Sequence, residues 1–400
     1  MYKLLAGLNV IEASSFVASP TAGLYCAQFG ANVIRVDQIG GGPDFHRWPV
    51  TEGNDSLYWE NLNRGKKSVA LDLRSPEGRE ILQELIAATG QFITNFPAEG
   101  FLAHAKLKKK REDLVTVRVM GWADGSPALD YTVNNAVGYP TLTGQGPDPV
   151  NHVLPAWDLL SGAYAAFALL AAINHRAATG EGSEVRVPLS DVAIGTVANL
   201  GGLAEVLYSG ENRPRLGNTV YGLFGRDFIT RDRVRTMIVV VTHRQWANLV
   251  RSLGLEFAVG AIESERAVSF ANDDGVRFEH REVLFPLFEA EIAKRNHAEL
   301  ASLLDSEGIV HSAYGTMLEA ADDPRLVKEN PIFDTSPSNP SGFTYPAAGS
   351  FGTVPHLARG KPASAPRHGE HTEEVLSEVL SLSSGEIARL IDNKIAGANQ

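Results

Sequence analysis

The sequence predicts an α/β protein whose large domain is built on a doubly wound open sheet, with a smaller α+β domain beside it. Strand-like and helix-like segments alternate through the first half of the 400 residues. This alternation indicates parallel strands joined by right-handed crossovers. Two Pro- and Gly-rich segments flank a middle stretch of different composition, and they indicate a second compact unit.

The elements follow in order from periodicity and capping signals. A strand (8–14) precedes a helix over 20–30 that ends at Gly30, and residues 31–37 form the next strand. Residues 67–73 and 91–96 are also predicted strands, and the helix between them starts at the cap Ser75 with Pro76 in its first turn. A later strand (183–189) is followed by one helix from about Asp191 to Leu207.

Four segments describe the expected domain organisation. Residues 1–207 form the N-terminal part of the large domain, and 208–221 form a polar linker. Residues 222–315 form the small α+β domain, with a strand near 236–242 and helices over 243–254 and 297–308. Residues 316–400 form a second linker and a C-terminal part that returns to the large domain.

The amino-acid composition indicates which classes of binding partner to exclude and which cellular compartment to expect. A net charge of -11 and a pI near 5.5 argue against a nucleic-acid partner. A single cysteine, Cys26, excludes a disulfide within the chain and suits a reducing compartment. The N-terminus lacks a signal-peptide pattern, and the apolar run after Asp158 is expected to stop near Asn174, too early to cross a membrane. We therefore expect a cytoplasmic protein with no membrane partner.

The search for catalytic motifs leaves one candidate catalytic residue, Asp158. The first strand and turn do not contain G-x-G-x-x-G, and H-E-x-x-H, paired C-x-x-C and G-x-S-x-G are absent from the sequence. No metal site is therefore expected. Gly40–Pro43 ("GGGP") is either a phosphate-binding loop or an ordinary flexible one. Asp158 stands before a run of small apolar residues, where it is either a helix N-cap worth about 1 kcal/mol or a reactive carboxylate.

Several blocks occurring in order resemble the class III CoA-transferase family across nearly the whole chain. They include "LLAGLNVIEASSFVASPTAGLYCAQFGANVIRVD", "NLNRGKKSVALDLRSPEGREIL", "TGEGSEVRVPLSDVA" and "PRHGEHTEEVL". The resemblance implies two interlocked chains in a homodimer. It also implies that one aspartate, matched here by Asp158, attacks an acyl-CoA thioester. Coenzyme A would then bind as part of the substrate, with no tightly bound cofactor.

Within this family, further stretches are most similar to members that move CoA between the two carboxyl groups of one branched unsaturated diacid. These stretches are "GGGPDFHRWPVT", "DYTVNNAVGYPTLTG", "VNHVLPAWDLLSG" and "RPRLGNTVYGLFGRDF". Transfer to a separate acid is the alternative. The related racemases need a His where this chain has Leu129, and an intact Asp158 argues against a protein that only binds CoA.

The resemblance also implies residues that bind CoA. Those that match family positions along the CoA chain or lining its site are Phe16, Val17, Leu71, Leu73, Arg74, Asn95 and Phe96. The sequence departs from the family at Val17, where well-studied members often carry Gln, and at Gln38, where an adenine-stacking residue is commonly basic. A purely structural role is the alternative for all of these residues.

The free carboxylate of the substrate calls for a basic partner. Arg47 and Arg226 are the hypothesised partners, with His152 and His46 as lesser ones. An ordinary ion pair is the alternative for each of them.

Overall fold

The computed structural model describes residues 1–335 and 339–397, and the contacts of the chain divide it into two units. The larger unit comprises residues 1–138, 151–210 and 324–400, and the smaller comprises 139–150 and 211–323. The smaller unit thus includes residues 139–150, which the sequence analysis gave to the large domain. They belong there because Arg215 Nε donates to the Thr141 carbonyl (2.7 Å) and Gly217 N donates to Gly144 (3.2 Å).

One mixed sheet organises the larger unit, and its strand order is β12-β3-β2-β1-β4-β5-β6. All neighbouring strands are parallel except β12, which pairs antiparallel with β3. The predicted α/β fold with a mainly parallel sheet is confirmed. The strands are β1 Asn9–Ala13, β2 Asn32–Gln38, β3 Lys67–Leu71, β4 Gln91–Thr94, β5 Val115–Met120, β6 Ser183–Pro188 and β12 Ala396–Gly397, while β10 Phe333–Thr335 and β11 Pro346–Ala348 form a separate hairpin.

The smaller unit contains an antiparallel sheet in the order β7-β8-β9, packed on an apolar core that includes Phe224, Trp246 and Phe288. Its strands are β7 Gly225–Ile229, β8 Arg235–Val239 and β9 Val310–Ala313. The α-helices of the described residues, in order, are α1 Ala18–Gln28, α2 Leu57–Leu62, α3 Pro76–Thr89, α4 His104–Leu107, α5 Asp130–Ala136, α6 Tyr139–Leu142, α7 Ala156–Thr179, α8 Leu189–Asn199, α9 Gly202–Ser209, α10 His243–Ser252, α11 Glu256–Arg266, α12 Asp274–Glu279, α13 Arg281–Ile292, α14 His297–Ser306, α15 Met317–Asp322, α16 Thr372–Leu380 and α17 Ser384–Asp392.

Two helices differ from the sequence prediction. The single helix expected over 191–207 is divided into α8 and α9, because Gly201 adopts a left-handed conformation (φ 80°) that ends α8. The long helix α7 starts at Ala156, ahead of Asp158. It also continues through Asn174 and His175 to Thr179, beyond the expected end of the apolar run.

Helix α7 is the central helix of the larger unit and packs against α1. A Cβ on Gly162 would lie 2.6 Å from the carbonyl oxygen of Ala18, so only glycine permits this close approach. Among the described residues, α7 is the one helix that is long and apolar enough by itself to cross a membrane. Helices α8 and α9 would be long enough only if the bent pair were counted together as a single span. In its most apolar window 44% of α7 is buried inside the protein, and one such helix is weak evidence for a membrane span.

Candidate active site

The sheet changes winding direction between β1 and β4, and the chain leaves both strands at the same edge. Open α/β sheets bind ligands in the crevice at such a point, outside the carboxyl ends of the strands. Ser15 and Phe16 follow β1, and Asn95 and Phe96 follow β4. The Asn95 side chain joins the two loops, because its Oδ1 accepts from Ser15 N (3.1 Å) and its Nδ2 donates to Ser15 O (2.8 Å).

Phe16 has a left-handed backbone (φ 66°), which is costly for a residue with a large side chain. Its amide N–H donates to both carboxylate oxygens of Asp44, at 3.0 Å each. Asp44 is itself buried and paired with Arg35, whose Nη2 lies 3.1 Å from Asp44 Oδ2. Burial raises the pKa of Asp44, and Arg35 opposes that shift. The strained loop is therefore held from beneath by a buried ion pair.

Asp158 is the third residue of α7 and therefore lies in its first turn. The interpretation of Asp158 as an N-cap is wrong, since the helix begins two residues earlier.

Helix α7 is also long compared with the strands. It extends for about 36 Å, whereas a six-residue strand such as β6 is about 20 Å long. Within the described residues no hydrogen bond reaches the Asp158 carboxylate, so both of its oxygens are available.

The helix end is capped by a carboxylate from another part of the chain. Asp130 Oδ2 accepts from the amides of Trp157 (2.7 Å) and Asp158 (3.1 Å). The amides of Ala156 and Leu159 are bonded to backbone carbonyls. All the first-turn amides therefore have partners, and none is free to hold a developing oxyanion.

Sequence reasoning missed Asp130. Asp130 is the first residue of α5, and an acid in the first turn of a helix is an ordinary preference that marks no function. The structure places it 1% exposed at the start of α5, and Asn134 of the same helix accepts from the Trp157 indole (3.0 Å). Helix α5 thus fixes the start of α7.

The electrostatic environment raises the pKa of Asp158 to about 7. Burial is the largest cause, the negative charge of Asp130 is the second, and the positive charge of Arg47 opposes both. The helix N-terminus does not lower the pKa of Asp158, because the Asp130 carboxylate occupies that end. Asp158 is nevertheless suited to reaction near neutral pH, since a weakly solvated carboxylate is a better nucleophile than one in water.

Arg47 lies between two aromatic rings. Its guanidinium carbon is 4.9 Å from the Phe16 ring centroid and 4.8 Å from that of Tyr58. In the part of the chain that the structure describes, no carboxylate lies within ion-pair distance of Arg47. The hydroxyl of Tyr58 is buried with no hydrogen-bond partner there either, and burial raises the pKa of that hydroxyl. Both groups are therefore free to bind an anion.

The other predicted site residues lie at different depths. Phe16 and Phe96 are 37% and 38% exposed, whereas Val17 is 5% exposed and Leu71 is completely buried. Leu73 is half-buried and its amide donates to Gln38 Oε1 (2.8 Å). The Arg74 side chain is 85% exposed and lies beside Asp72. Arg74 therefore reaches solvent, whereas Leu71 belongs to the core of the sheet; CoA contact by these residues stays a prediction.

The remaining basic candidates have protein partners. His152 Nε2 bonds to Asp130, and His46 Nδ1 lies 3.3 Å from Asn54 Nδ2. Arg226 lies on β7 in the smaller unit, 3.3 Å from Glu289 and over the rings of Phe228 and Phe285. Among the candidates in the larger unit, Arg47 is the one that lies against the ring of Phe16.

A metal ion and a cysteine nucleophile are the two other kinds of catalysis considered, and both find little support. Among the described residues no group of three His, Cys, Asp or Glu side chains could hold a metal ion. Cys26 is buried, and that burial together with the charge of Glu12 raises its pKa to about 12. Its thiol is therefore neutral at physiological pH, so it is not a nucleophile.

Three solved or curated relatives place the chain among known proteins. It is 44% identical to the 2-methylfumaryl-CoA isomerase of Chloroflexus aurantiacus, over 99% of this chain and 98% of that protein. It is 26% identical to the succinate–glutarate CoA-transferase of Agrobacterium fabrum, over 94% and 96% of the two chains. A crystal structure of a CAIB/BAIF family protein from Brucella suis has the same fold, with a TM-score of 0.77, 24% identity and coverage of 95% and 100%.

The family assignment rests on a match along most of the sequence. The model described as CoA-transferase family III matches residues 5–372. This range includes Asp158, Asp130 and both loops of the crevice. The chain belongs to CoA-transferase family III.

Proposed function

We propose that this protein moves CoA between the C1 and C4 carboxyl groups of mesaconate, which is 2-methylfumarate. The protein would therefore act as an isomerase by intramolecular transfer. The observation that carries the proposal is the unpaired Asp158 carboxylate beside the unpaired Arg47 guanidinium. The 44% identity to 2-methylfumaryl-CoA isomerase over the full length supports this particular diacid.

The reaction begins when a carboxylate oxygen of Asp158 attacks the thioester carbonyl of mesaconyl-C1-CoA. The C–S bond breaks, and CoA leaves as a thiolate, a good leaving group because a free thiol has a pKa of about 8.5. The product is a mixed anhydride of Asp158 and mesaconate. The thiolate then attacks the aspartyl carbonyl, which gives an Asp158–CoA thioester and releases the mesaconate carboxylate.

The second half repeats these steps with the other end of the diacid. The C4 carboxylate attacks the aspartyl thioester, and CoA leaves again as a thiolate. Attack of the thiolate on the C4 carbonyl of the anhydride forms mesaconyl-C4-CoA and restores the Asp158 carboxylate. No proton or energy source is consumed, since one thioester replaces another.

In this proposal Arg47 binds the carboxylate of the diacid that is not reacting. Its two aromatic neighbours hold the guanidinium flat and leave its N–H edge free for a carboxylate. The buried hydroxyl of Tyr58 can donate a hydrogen bond in the same place. Arg226 and His152 remain weaker proposals for this role, because Glu289 and Asp130 already bind them.

The CoA part of the substrate is proposed to lie along the crevice edge. Phe16 and Phe96 offer partly exposed rings, Asn95 fixes the loops that carry them, and Leu73 with Arg74 follows β3. Arg74 is exposed and can pair with a phosphate. Val17 and Leu71 would support this surface from below rather than contact the ligand.

Intermolecular transfer is the second candidate. Relatives of 25–26% identity carry names such as succinate–glutarate CoA-transferase and succinyl-CoA–D-citramalate CoA-transferase. The same aspartyl thioester would serve that reaction if the first acid left before a second entered. The number of acids that exchange with solution therefore separates the two candidates.

The remaining proposals concern assembly and compartment. Leu160, Tyr164 and Phe167 are 39%, 52% and 66% exposed on one face of α7, which supports a homodimer. We propose a soluble cytoplasmic enzyme that needs neither a metal nor a tightly bound cofactor and has no nucleic-acid or membrane partner.

The test is incubation with mesaconyl-C1-CoA and an excess of isotopically labelled mesaconate, followed by mass spectrometry of the products. We expect the C4 isomer without label, and no isomer from Asp158→Ala. Wild-type enzyme quenched during turnover should carry a CoA mass on the peptide that contains Asp158. A labelled C4 isomer would establish exchange and the intermolecular reaction, while absence of any CoA transfer would overturn the proposed function.

A further inference from the structure

A second carboxylate, that of Asp130, lies next to the proposed nucleophile. Asp130 is 1% exposed and accepts from three donors: the amides of Trp157 and Asp158, and His152 Nε2. A buried carboxylate is costly unless it is paired or hydrogen-bonded. The position of Asp130 is therefore defined, and so is the position of the helix turn that it holds.

His152 is the one partner among these three that bonds to Asp130 through its side chain. Its side chain is 24% exposed, so it can exchange protons with water. Its backbone amide donates to Asn151 Oδ1 (3.0 Å), and Asn134 Nδ2 donates to the same oxygen (2.6 Å). The ring is packed edge-on to Tyr131, with ring centroids 5.7 Å apart. The loop before α7 thus holds the imidazole against Asp130.

We propose that Asp130 and His152 form a positioning pair, in which Asp130 fixes the first turn of α7 and protonated His152 offsets its charge so that Asp158 can ionise. This proposal rests on the role of Asp158 proposed above. Asp130 and His152 touch no reacting atom in it; they act through Asp158. It differs from the substrate-binding role first considered for His152.

The charges around Asp158 set the sign of each effect. Asp130 on α5 opposes ionisation of Asp158, whereas Arg47 after β2 favours it. Tyr58 on α2 also faces Asp158 and has a raised pKa, so it stays neutral. When His152 carries a proton, the Asp130–His152 pair has no net charge. Loss of that proton leaves a net negative charge beside the nucleophile.

Two substitutions should therefore shift the ionisation of Asp158 in opposite directions. Asp130→Asn keeps an oxygen that accepts from the two amides but removes the negative charge, so Asp158 should ionise at lower pH. His152→Gln keeps a donor to Asp130 but removes the positive charge, so Asp158 should ionise at higher pH. If the pair had only a structural role, neither substitution would change the pH at which Asp158 ionises.

The first readout is the acidic limb of the kcat/KM profile for mesaconyl-C1-CoA. We expect His152→Gln to lose about tenfold in kcat/KM at pH 6 and little at pH 8.5, since a displacement of one pH unit is tenfold. Asp130→Asn should retain more of its own maximum at pH 6 than wild type does. His175→Gln is the matched control, because His175 lies on the same helix as Asp158 but about 26 Å along it. Its ring is 4.0 Å from the carboxylate of Glu181, which follows the helix.

The second readout does not depend on turnover. An acid whose pKa rises from 3.8 to about 7 on folding destabilises the fold as pH increases through that window. Asp158→Asn should therefore be more stable than wild type above pH 7 and equally stable below pH 4. The upper end of this window is the pH at which Asp158 ionises in the folded protein, and urea unfolding with and without Asp158→Asn measures it in each background. It should move to lower pH with Asp130→Asn, to higher pH with His152→Gln, and stay unchanged with His175→Gln.

The two readouts separate failure of this inference from failure of the proposed function. Absence of CoA transfer in wild type would reject the function, and the unfolding series would still test the pair. If neither Asp130→Asn nor His152→Gln changed the pH range over which Asp158 destabilises the fold, the proposed positioning pair would be wrong. Opposite shifts, with the control unmoved, would support it.

Discussion

At the residue scale, Asp158 shows what sequence can and cannot supply. A single acid before a run of small apolar residues was visible in the sequence, and the family resemblance gave it a role. The identity of the capping group was not visible, because Asp130 is 28 residues away and only tertiary packing brings it to the helix. The raised pKa of Asp158 follows from that packing and from burial.

Arg47 is the residue whose predicted role depends most on its surroundings. Arg47→Ala should raise the KM for mesaconyl-C1-CoA by about tenfold or more, because a charge-assisted contact to a carboxylate is lost. Arg47→Lys should recover part of this loss, since it keeps the charge but not the flat two-pronged donor. Steady-state kinetics with both variants measures the effect.

The control for Arg47 is Arg186→Ala, which removes an exposed arginine paired with Glu184. It should leave both constants unchanged. If Arg47→Ala also left KM and kcat unchanged, Arg47 would have no part in binding the diacid.

At the element scale, α7 connects the core to the site. Its composition predicted a helix, but not its start, because the residue after Pro155 gives no capping signal of its own. The break between α8 and α9 was missed for a related reason, since Gly201 lies within an otherwise apolar, helix-like run. Helix ends that depend on distant partners or on one left-handed glycine are difficult to locate from periodicity.

Gly162 is the position where α7 can be tested as an element. Gly162→Ala should lower the free energy of unfolding by about 1–3 kcal/mol, because its new methyl group collides with the Ala18 backbone of α1. Gly195→Ala on α8 is the matched control, since nothing lies within 4 Å of the new Cβ there. It should stabilise by roughly 0.5–1 kcal/mol through helix propensity.

Chemical denaturation of both glycine variants provides the comparison. Equal effects at positions 162 and 195 would mean that the α1–α7 contact has room for a methyl group. The predicted difference in sign would instead show that the close approach is a requirement of the fold.

At the scale of the whole molecule, the sheet was the most predictable feature. Alternating strands and helices specify parallel neighbours, and the winding change between β1 and β4 then creates a crevice without any special residue. The membership of residues 139–150 in the smaller unit was not predictable, because it depends on hydrogen bonds from Arg215 to a segment about 70 positions earlier. The relative placement of functional side chains in three dimensions was likewise beyond the sequence.

The proposed homodimer can be tested on the apolar face of α7. Phe167→Glu should convert the dimer to a monomer or prevent its assembly, because a charge would replace an aromatic ring that is 66% exposed in the single chain. Sedimentation velocity measures the mass in solution, and Phe167→Tyr is the conservative control. A wild-type monomer, or a dimer unaffected by Phe167→Glu, would contradict this assignment.

The far end of α7 also matters for the position of Asp158. Arg176 Nη1 donates to the carbonyl of Gly90 (2.8 Å), and the helix ends at Gly180 in a left-handed conformation. The helix is thus anchored at the opposite edge of the sheet from the nucleophile. One residue inserted between Arg176 and Asp158 would rotate the carboxylate by about 100° and advance it by about 1.5 Å. The number of residues in α7 is therefore a fixed dimension of the enzyme, and natural changes in length have to be accommodated in loops.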